Sequence, residues 1–169
     1  MGVTVPDLLF EDVVIGGQLP ELSYGVITPV HLMRWSAAIE NWHRIHYDAE
    51  FAVNHDGLPE RLVNGTFKQH MLTSLVWNWI GSQSWLWKIT FRFKGMDVVG
   101  DRLTAEGSVT GTERASDYGL VMVEIGIRNA RTSELTTTGQ AVAAVRYRSG
   151  PPVPYPFVPP GRAVADQSS

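Results

Sequence analysis

Cysteine is absent from the 169 residues. That removes a disulfide framework, a cysteine nucleophile, a thiolate zinc site and an iron–sulfur cluster from the candidate chemistries. It also fits a reducing compartment, so a cytoplasmic location is the expectation. Charge is sparse, with 18% charged residues and a net charge of −3, which leaves no basic footprint for nucleic acid. No apolar run approaches the ~18 residues needed to cross a bilayer. The first basic residue is Arg34, and the early apolar stretch is broken by Asp7, Glu11 and Asp12; a secretory signal is not expected from such a start. What remains is an ordinary globular composition, 44% hydrophobic, long enough for one domain with a real core.

The organisation follows from periodicity. Residues 18–27 read as a short strand weakened by Pro20 and Gly25. Thr28-Pro29 pairs a capping hydroxyl with proline at the first helical position, and Leu32, Trp35, Ala38 and Ile39 then recur at helical spacing, so a first helix runs to about Glu40. A second helix opens at Gly65. Its stripe is Leu72, Leu75, Val76, Trp79 and Ile80, its carboxyl cap is Gly81, and Lys68 is its one charge. A helix so short of charge is expected to be wrapped by other structure. From residue 84 the period becomes two. Trp85, Trp87, Ile89, Phe91 and Phe93 share one face, and three further alternating runs centred on Leu103–Val109, Val121–Ile127 and Thr137–Val145 follow across short turns. These read as a four-stranded antiparallel meander. The expected fold class is α+β, a long antiparallel sheet curled around the central helix, whose open edge suggests pairing with a second copy. Residues 149–161 hold most of the prolines and are expected to run extended, with Ala163–Ser169 disordered. The domain division is therefore 1–148, then a proline-rich tail over 149–169.

The chemistry concentrates in the polar segment between the helices. It reads Asn41-Trp42-His43-Arg44-Ile45-His46-Tyr47-Asp48, then Phe51-Ala52, with Asn64-Gly65 opening the second helix. Segments of this length without a period are usually functional or mobile in compact domains. His46 is the acid/base candidate, because imidazole titrates near neutrality. Gly65 offers a bare amide at a helix amino end, where developing negative charge is stabilised. His43 and Asp48 read as structural hydrogen-bonding groups, and Arg44 as a partner of Asp48 or Glu40 with a phosphate or carboxylate contact as the alternative. His31, His55 and His70 carry no pattern and read as surface or packing residues. Lys88, Arg92 and Lys94 form a solvated strand face or a contact for phosphate groups. The tryptophans at 77, 79, 85 and 87 read as core, with one or two available to wall a pocket.

These residues resemble the MaoC-type, (R)-specific enoyl-thioester hydratase/dehydratase family of the hotdog fold. That family's pattern is D-x-N-P-x-H-x-D, then F-A, then H-G at the start of the central helix. The resemblance is closer to a branch carrying N-x-H-R-I-H-Y-D, which includes 3-hydroxyacyl-thioester dehydratase type 2 and the mesaconyl-C4-CoA hydratases. It spans roughly residues 8–148, with its specific part at 41–65. It implies a hotdog fold and water addition to, or removal from, an acyl-CoA or acyl-carrier-protein thioester lying in a tunnel beside the central helix. His46 would handle the proton, Gly65 would polarise the thioester carbonyl, and Asn41 stands where most relatives carry an aspartate. Thr73 stands where relatives often carry a serine, Asn64 replaces the usual histidine, and Arg44 and Asn64 join Thr73 as substrate-binding candidates. With Asn41 unable to take a proton, His46 is expected to act alone, Asn41 orienting water through its amide oxygen. No metal or redox cofactor is implied.

Three alternatives stay open. Asn41 keeps a non-catalytic partner subunit of a heteromeric hydratase in play, and homodimer and heterodimer are both expected forms. A hotdog thioesterase would need a carboxylate or nucleophile on the central helix, and Asp and Glu are absent between Thr66 and Ser82. The H-x-D at His46 and Asp48 matches part of an iron-oxygenase triad, but no histidine follows His70.

Overall fold

A computed structural model describes residues 7–160. In chain order it contains strand β1 (Leu22–Val26), helix α1 (Pro29–Ala38), helix α2 (Gly65–Ile80) and strands β2 (Trp85–Phe93), β3 (Arg102–Arg114), β4 (Tyr118–Asn129) and β5 (Glu134–Arg146). A 3-10 turn at Arg44–His46 and a π-helical turn at Phe51–His55 punctuate the connection between the helices. The five strands form one antiparallel sheet in the order β1-β3-β4-β5-β2. All five touch α2, which is the expected α+β wrap.

The wrap follows from the apolar inventory of α2. Met71, Leu72, Leu75, Val76 and Ile80 are buried against Leu103, Ala105 and Val109 of β3, Val121, Val123 and Ile127 of β4, and Ala141, Ala143 and Val145 of β5. Burying each of these larger side chains contributes about 1.5–3 kcal/mol. Even Lys68, the helix's one charge, is 3% exposed. At the carboxyl end Gly81 takes φ +78°, a left-handed conformation that favours glycine, and its N–H donates to the Trp77 carbonyl at 3.2 Å.

Helix α1 starts where the sequence predicts, with Pro29 first. His31 is no idle surface residue, however. Its Nδ1 accepts from the Thr28 N–H at 3.0 Å and lies 3.1 Å from Thr28 Oγ1, the reach-back that a Glu or Gln makes in a capping box. The helix stops at Ala38, short of Glu40, which sits at φ +53°.

Two features of the sheet differ from the sequence reading. The meander comprises β3, β4 and β5 only: β2 pairs with β5 at the far edge, so residues 94–101 cross over instead of making a hairpin. In addition, β2 does not keep one face throughout. Its register shifts between Leu86 and Lys88, so Trp85 and Trp87 lie with Tyr118, Leu120 and Ala144, while Leu86, Ile89 and Phe91 pack on the main core. A bulge inserts one residue and flips the alternation beyond it. Phe93, at the end of the strand, is 54% exposed.

The proline-rich segment is extended but docked. The Tyr118 hydroxyl donates to the Val158 carbonyl at 2.7 Å, the Val153 N–H donates to Gln83 at 2.9 Å, and the Phe157 ring lies 5.6–6.3 Å from those of Tyr118, Trp87 and Trp85. The segment Ala163–Ser169 lies outside the described residues.

The curl brings β2 close to β5. At Gly139 a Cβ would overlap the Thr90 carbonyl oxygen and come within 2.7 Å of Phe91 Cβ. Gly139→Ala is therefore expected to cost about 1–3 kcal/mol, lowering the thermal midpoint by roughly 2–4 °C per kcal/mol in a chain of this size. An unchanged midpoint in a melting experiment would show that the strands part freely there.

Candidate active site

The polar segment after α1 folds through short side-chain-to-backbone bonds. Asn41 Oδ1 accepts from the His43 N–H at 3.3 Å, and His43 Nδ1 accepts from the Ile45 N–H at 3.4 Å. Each closes a two-residue turn, the local habit of such side chains, and together they wind the chain into the 3-10 turn that ends at His46. Asp48 then holds both sides of the next turn. One carboxylate oxygen accepts from Arg44 Nε and Nη2 at 3.0 and 2.7 Å, and the other accepts from the Phe51 N–H at 3.0 Å. The Phe51 N–H first, and the Arg44 guanidinium second, hold the Asp48 carboxyl below its usual range. Arg44 also lies 4.3 Å from the Phe51 ring centroid.

His46 is 8% exposed. Two bonds clasp it to the approach to α2: the Leu62 N–H donates to the Ile45 carbonyl at 2.9 Å, and His46 Nδ1 lies 2.8 Å from the Leu62 carbonyl oxygen. A carbonyl only accepts, so Nδ1 carries the proton and Nε2 presents its lone pair. Among the described residues Nε2 has no hydrogen-bond partner, yet it is not a sealed orphan atom. Burial pushes the imidazole below the ordinary value of 6.5; the Leu62 bond opposes that, and the neighbouring His43 adds to it.

With the folded value depressed, the unfolded chain binds the His46 proton more readily, so the neutral ring's contribution to stability is complete above pH 6.5 and is lost as pH falls through the folded value. His46→Gln is expected to flatten the acid side of a stability–pH curve measured by denaturant melts between about pH 7 and about pH 5. A curve of unchanged shape would contradict the neutral, buried imidazole.

Residues 61–64 are themselves anchored. The Val99 N–H donates to Arg61 at 3.0 Å and the Val63 N–H to the Asp97 carbonyl at 2.8 Å. Asn64 caps α2 with its carbonyl, accepting from the Phe67 and Lys68 N–H groups at 3.0 and 3.1 Å. Its side chain is fully buried, with Nδ2 3.3 Å from Ser36 Oγ and Oδ1 without a protein partner among the described residues. Gly65 is the first helical residue, and its N–H has no partner among the described residues. The Phe93 ring packs over it so closely that a Cβ at Gly65 would lie 2.9 Å from Cζ.

The structure thus joins His46 to the strand of chain that ends in Asn64 and Gly65. The other candidates spend their side chains on different partners. Asn41 spends its amide oxygen on His43 and forms no hydrogen bond with His46. The Thr73 hydroxyl, two turns along α2, donates to the Gln69 carbonyl at 2.9 Å. Arg44 is engaged by Asp48 and Phe51, although its side chain is 55% exposed. Among the other histidines, His70 lies tilted against Trp35 and His55 stacks on Phe51. Lys88, Arg92 and Lys94 are exposed. The sequence reading missed the Leu62 carbonyl, which has no side-chain signature, and Phe93, which alternation assigned to the buried face.

Two open spaces lie away from the predicted site. A polar groove of about 650 Å³ crosses the sheet face turned away from α2, among Gln18, Arg92, Glu106, Glu124 and Gln140. An apolar cavity of about 330 Å³ sits beside the carboxyl half of α2, among Leu8, Leu22, Leu75 and Trp79. Neither is lined by His46, Asn41 or Gly65, and the apolar cavity sits at the end of α2 opposite Gly65.

Comparison with known proteins supplies the remaining facts. The family model of hydroxyacyl-thioester dehydratase type 2 matches residues 21–101. Among curated proteins no sequence matches the chain. Among solved structures, a chain of the ChsH1–ChsH2 complex from Mycobacterium tuberculosis superposes with TM-score 0.69 at 23% identity, covering 79% of this chain and 98% of that one. The (R)-hydratase of A. caviae involved in PHA biosynthesis gives 0.71 at 22%, covering 80% and 98%. A MaoC-like dehydratase from Rhodospirillum rubrum gives 0.71 at 17%, covering 83% and 98%. The sheet curled on α2 is the hotdog fold of these structures, and the stretch that the family model matches, 81 of the 169 residues, takes in both His46 and Gly65.

Proposed function

We propose that the chain adds water to an α,β-unsaturated acyl thioester, or removes it from the 3-hydroxy form, with coenzyme A or acyl carrier protein as the thioester carrier. The observation that carries this is the state of His46: a buried imidazole whose Nδ1 is committed to the Leu62 carbonyl at 2.8 Å, leaving Nε2 to take a proton. In the hydration direction Nε2 accepts a proton from water as its oxygen bonds to the β-carbon. The alkene pair moves toward the thioester, and negative charge gathers on the carbonyl oxygen, where the free Gly65 N–H receives it. The imidazolium then returns the proton to the α-carbon, so atoms and charge balance with no further reactant. The oxyanion donor supplies about 3–4 kcal/mol of the barrier reduction, and the proton relay about 10²–10⁴-fold.

Asn41 enters this reading in a different role from the one its position suggested. With its oxygen on the His43 N–H, it shapes the turn that delivers His46 instead of orienting water. The same substitution favours the second reading, a non-catalytic partner of another hotdog subunit. A thioesterase is disfavoured because α2 carries no carboxylate and the Thr73 hydroxyl is tied to its own helix. Pairing with a second hotdog subunit through an exposed sheet edge, β1 or β2, belongs to the proposal, as does a cytoplasmic site of action. No helix among the described residues is long and apolar enough to cross a membrane.

The deciding experiment follows loss of the conjugated thioester chromophore across a panel of enoyl-CoA substrates, with the chain alone and with a second hotdog subunit added. Turnover by the chain alone supports the enzyme reading. Turnover only when an active second subunit is present, unaffected by loss of His46, supports the partner reading.

A further inference from the structure

The described residues contain one ion pair that is buried on both sides. Lys68 Nζ lies 2.6 Å from Asp97 Oδ2, with the two side chains 4% and 0% exposed. Removing two charges from water is costly, and such a pair often adds nothing to stability over apolar residues of the same volume. Its placement is therefore informative.

Asp97 is fully employed. Its Oδ1 accepts from Asn129 Nδ2 at 2.9 Å, its Oδ2 accepts from Thr136 Oγ1 at 2.7 Å as well as from Lys68, and its backbone carbonyl accepts from the Val63 N–H at 2.8 Å. Val63 follows Leu62, whose carbonyl holds His46. Lys68 sits one turn beyond Gly65 in α2, and its own N–H closes the first turn on the Asn64 carbonyl at 3.1 Å. Its ammonium also donates to the Gly95 carbonyl at 3.1 Å and lies 5.2 Å from the Phe93 ring, the ring packed over Gly65. The Asn129 amide reaches on to Asp101 Oδ2 at 2.8 Å, and Arg131 closes the network on Asp101 Oδ1 at 2.5 Å.

One residue of the 94–101 crossover thus grips both halves of the site: the chain holding His46 through its main chain, and the first turn carrying Gly65 through its carboxylate. We infer that Lys68 and Asp97 are positioning residues, which fix the Gly65 amide and the Phe93 ring relative to the His46 imidazole. This rests on the reading of the site as a thioester hydratase. Neither residue touches the reacting atoms, and the pair acts through geometry. Misplacement by about 1 Å is enough to cost on the order of a hundredfold in rate.

The test separates positioning from plain structural support. Breaking the pair in a single variant strands a buried charge and destabilises the fold, so the informative variant removes both charges at nearly constant volume, Lys68→Met with Asp97→Asn. The asparagine still accepts from Asn129, and Thr136 retains the Ile127 carbonyl at 3.4 Å. Thermal midpoint, kcat and KM are measured on enoyl-CoA for the full chain. The expected result is a midpoint close to wild type, a KM within about twofold, and a kcat reduced roughly tenfold to a hundredfold. If kcat recovers together with stability, the pair is structural only and the inference is overturned. Should the double variant fail to fold, Thr136→Val removes one donor to Asp97 without changing shape, and several-fold loss of kcat at wild-type KM is expected; wild-type kcat there overturns the inference equally. No turnover by the wild-type chain removes the hydratase reading and this inference together. Wild-type turnover with an undiminished stable double variant removes this inference alone.

Discussion

His46→Ala is expected to lower kcat for enoyl-thioester hydration by about 10²–10⁴-fold, the usual worth of a positioned acid/base, which corresponds to roughly 3–5 kcal/mol of barrier. The expectation comes from the two nitrogens being differently employed. Nδ1 is spent on the Leu62 carbonyl, so Nε2 is the one atom of the ring free to take a proton. Alanine also strands a carbonyl that had a buried donor, at a cost of about 1–3 kcal/mol, and a stability loss would blur the kinetic result. His46→Gln resolves this. Its amide can still donate to Leu62 but cannot carry a proton between water and carbon. The expected pattern is wild-type melting behaviour at neutral pH with the same kinetic loss as alanine. Substantial turnover by a well-folded His46→Gln chain would show that another group moves the proton.

Gly65→Ala is the second large effect. A Cβ there would lie 2.9 Å from Phe93 Cζ and 3.1 Å from Cε2. The ring is half exposed and can swing, yet swinging or shifting the first turn moves the amide proposed as the oxyanion donor. Loss of one such donor costs about 10²–10³-fold in kcat. Alanine is a better helix former than glycine, so stability is expected to hold while rate falls. The control is Gly65→Ala combined with Phe93→Ala, which removes the obstructing ring and should restore much of kcat. Equal activity of Gly65→Ala and wild type in steady-state kinetics would mean the Gly65 amide is not the oxyanion donor.

The sequence made the central helix legible because its chemistry is one-sided. A stripe of Leu72, Leu75, Val76 and Ile80 with one charge over sixteen residues admits few environments, and a surrounding sheet is one of them. Strand order was not legible. Alternation reports which face of a strand is buried and says nothing about which strand lies beside it, so β2 was placed next to β3 when it pairs with β5. The bulge near Trp87 was hidden for a related reason, since an inserted residue leaves the apolar spacing unchanged on paper and reverses it in space. Within the site, residue types marked His46 and Gly65, but His46's chief partner is a main-chain carbonyl, which any residue at position 62 would provide. Lys68 and Asp97 read as ordinary charged residues because burial of both at once, 29 positions apart, is a property of the crossover.

The central claim is that water is added across a carbon–carbon double bond, and oxygen isotope labelling tests it most directly. The wild-type chain is incubated with an enoyl-CoA in oxygen-18 water, and the product is analysed by mass spectrometry. The expected product is an intact thioester carrying one labelled oxygen as a hydroxyl on the β-carbon. A labelled free carboxylate with released coenzyme A would instead show thioester hydrolysis, and it would contradict the assignment of His46 and Gly65 to a hydratase.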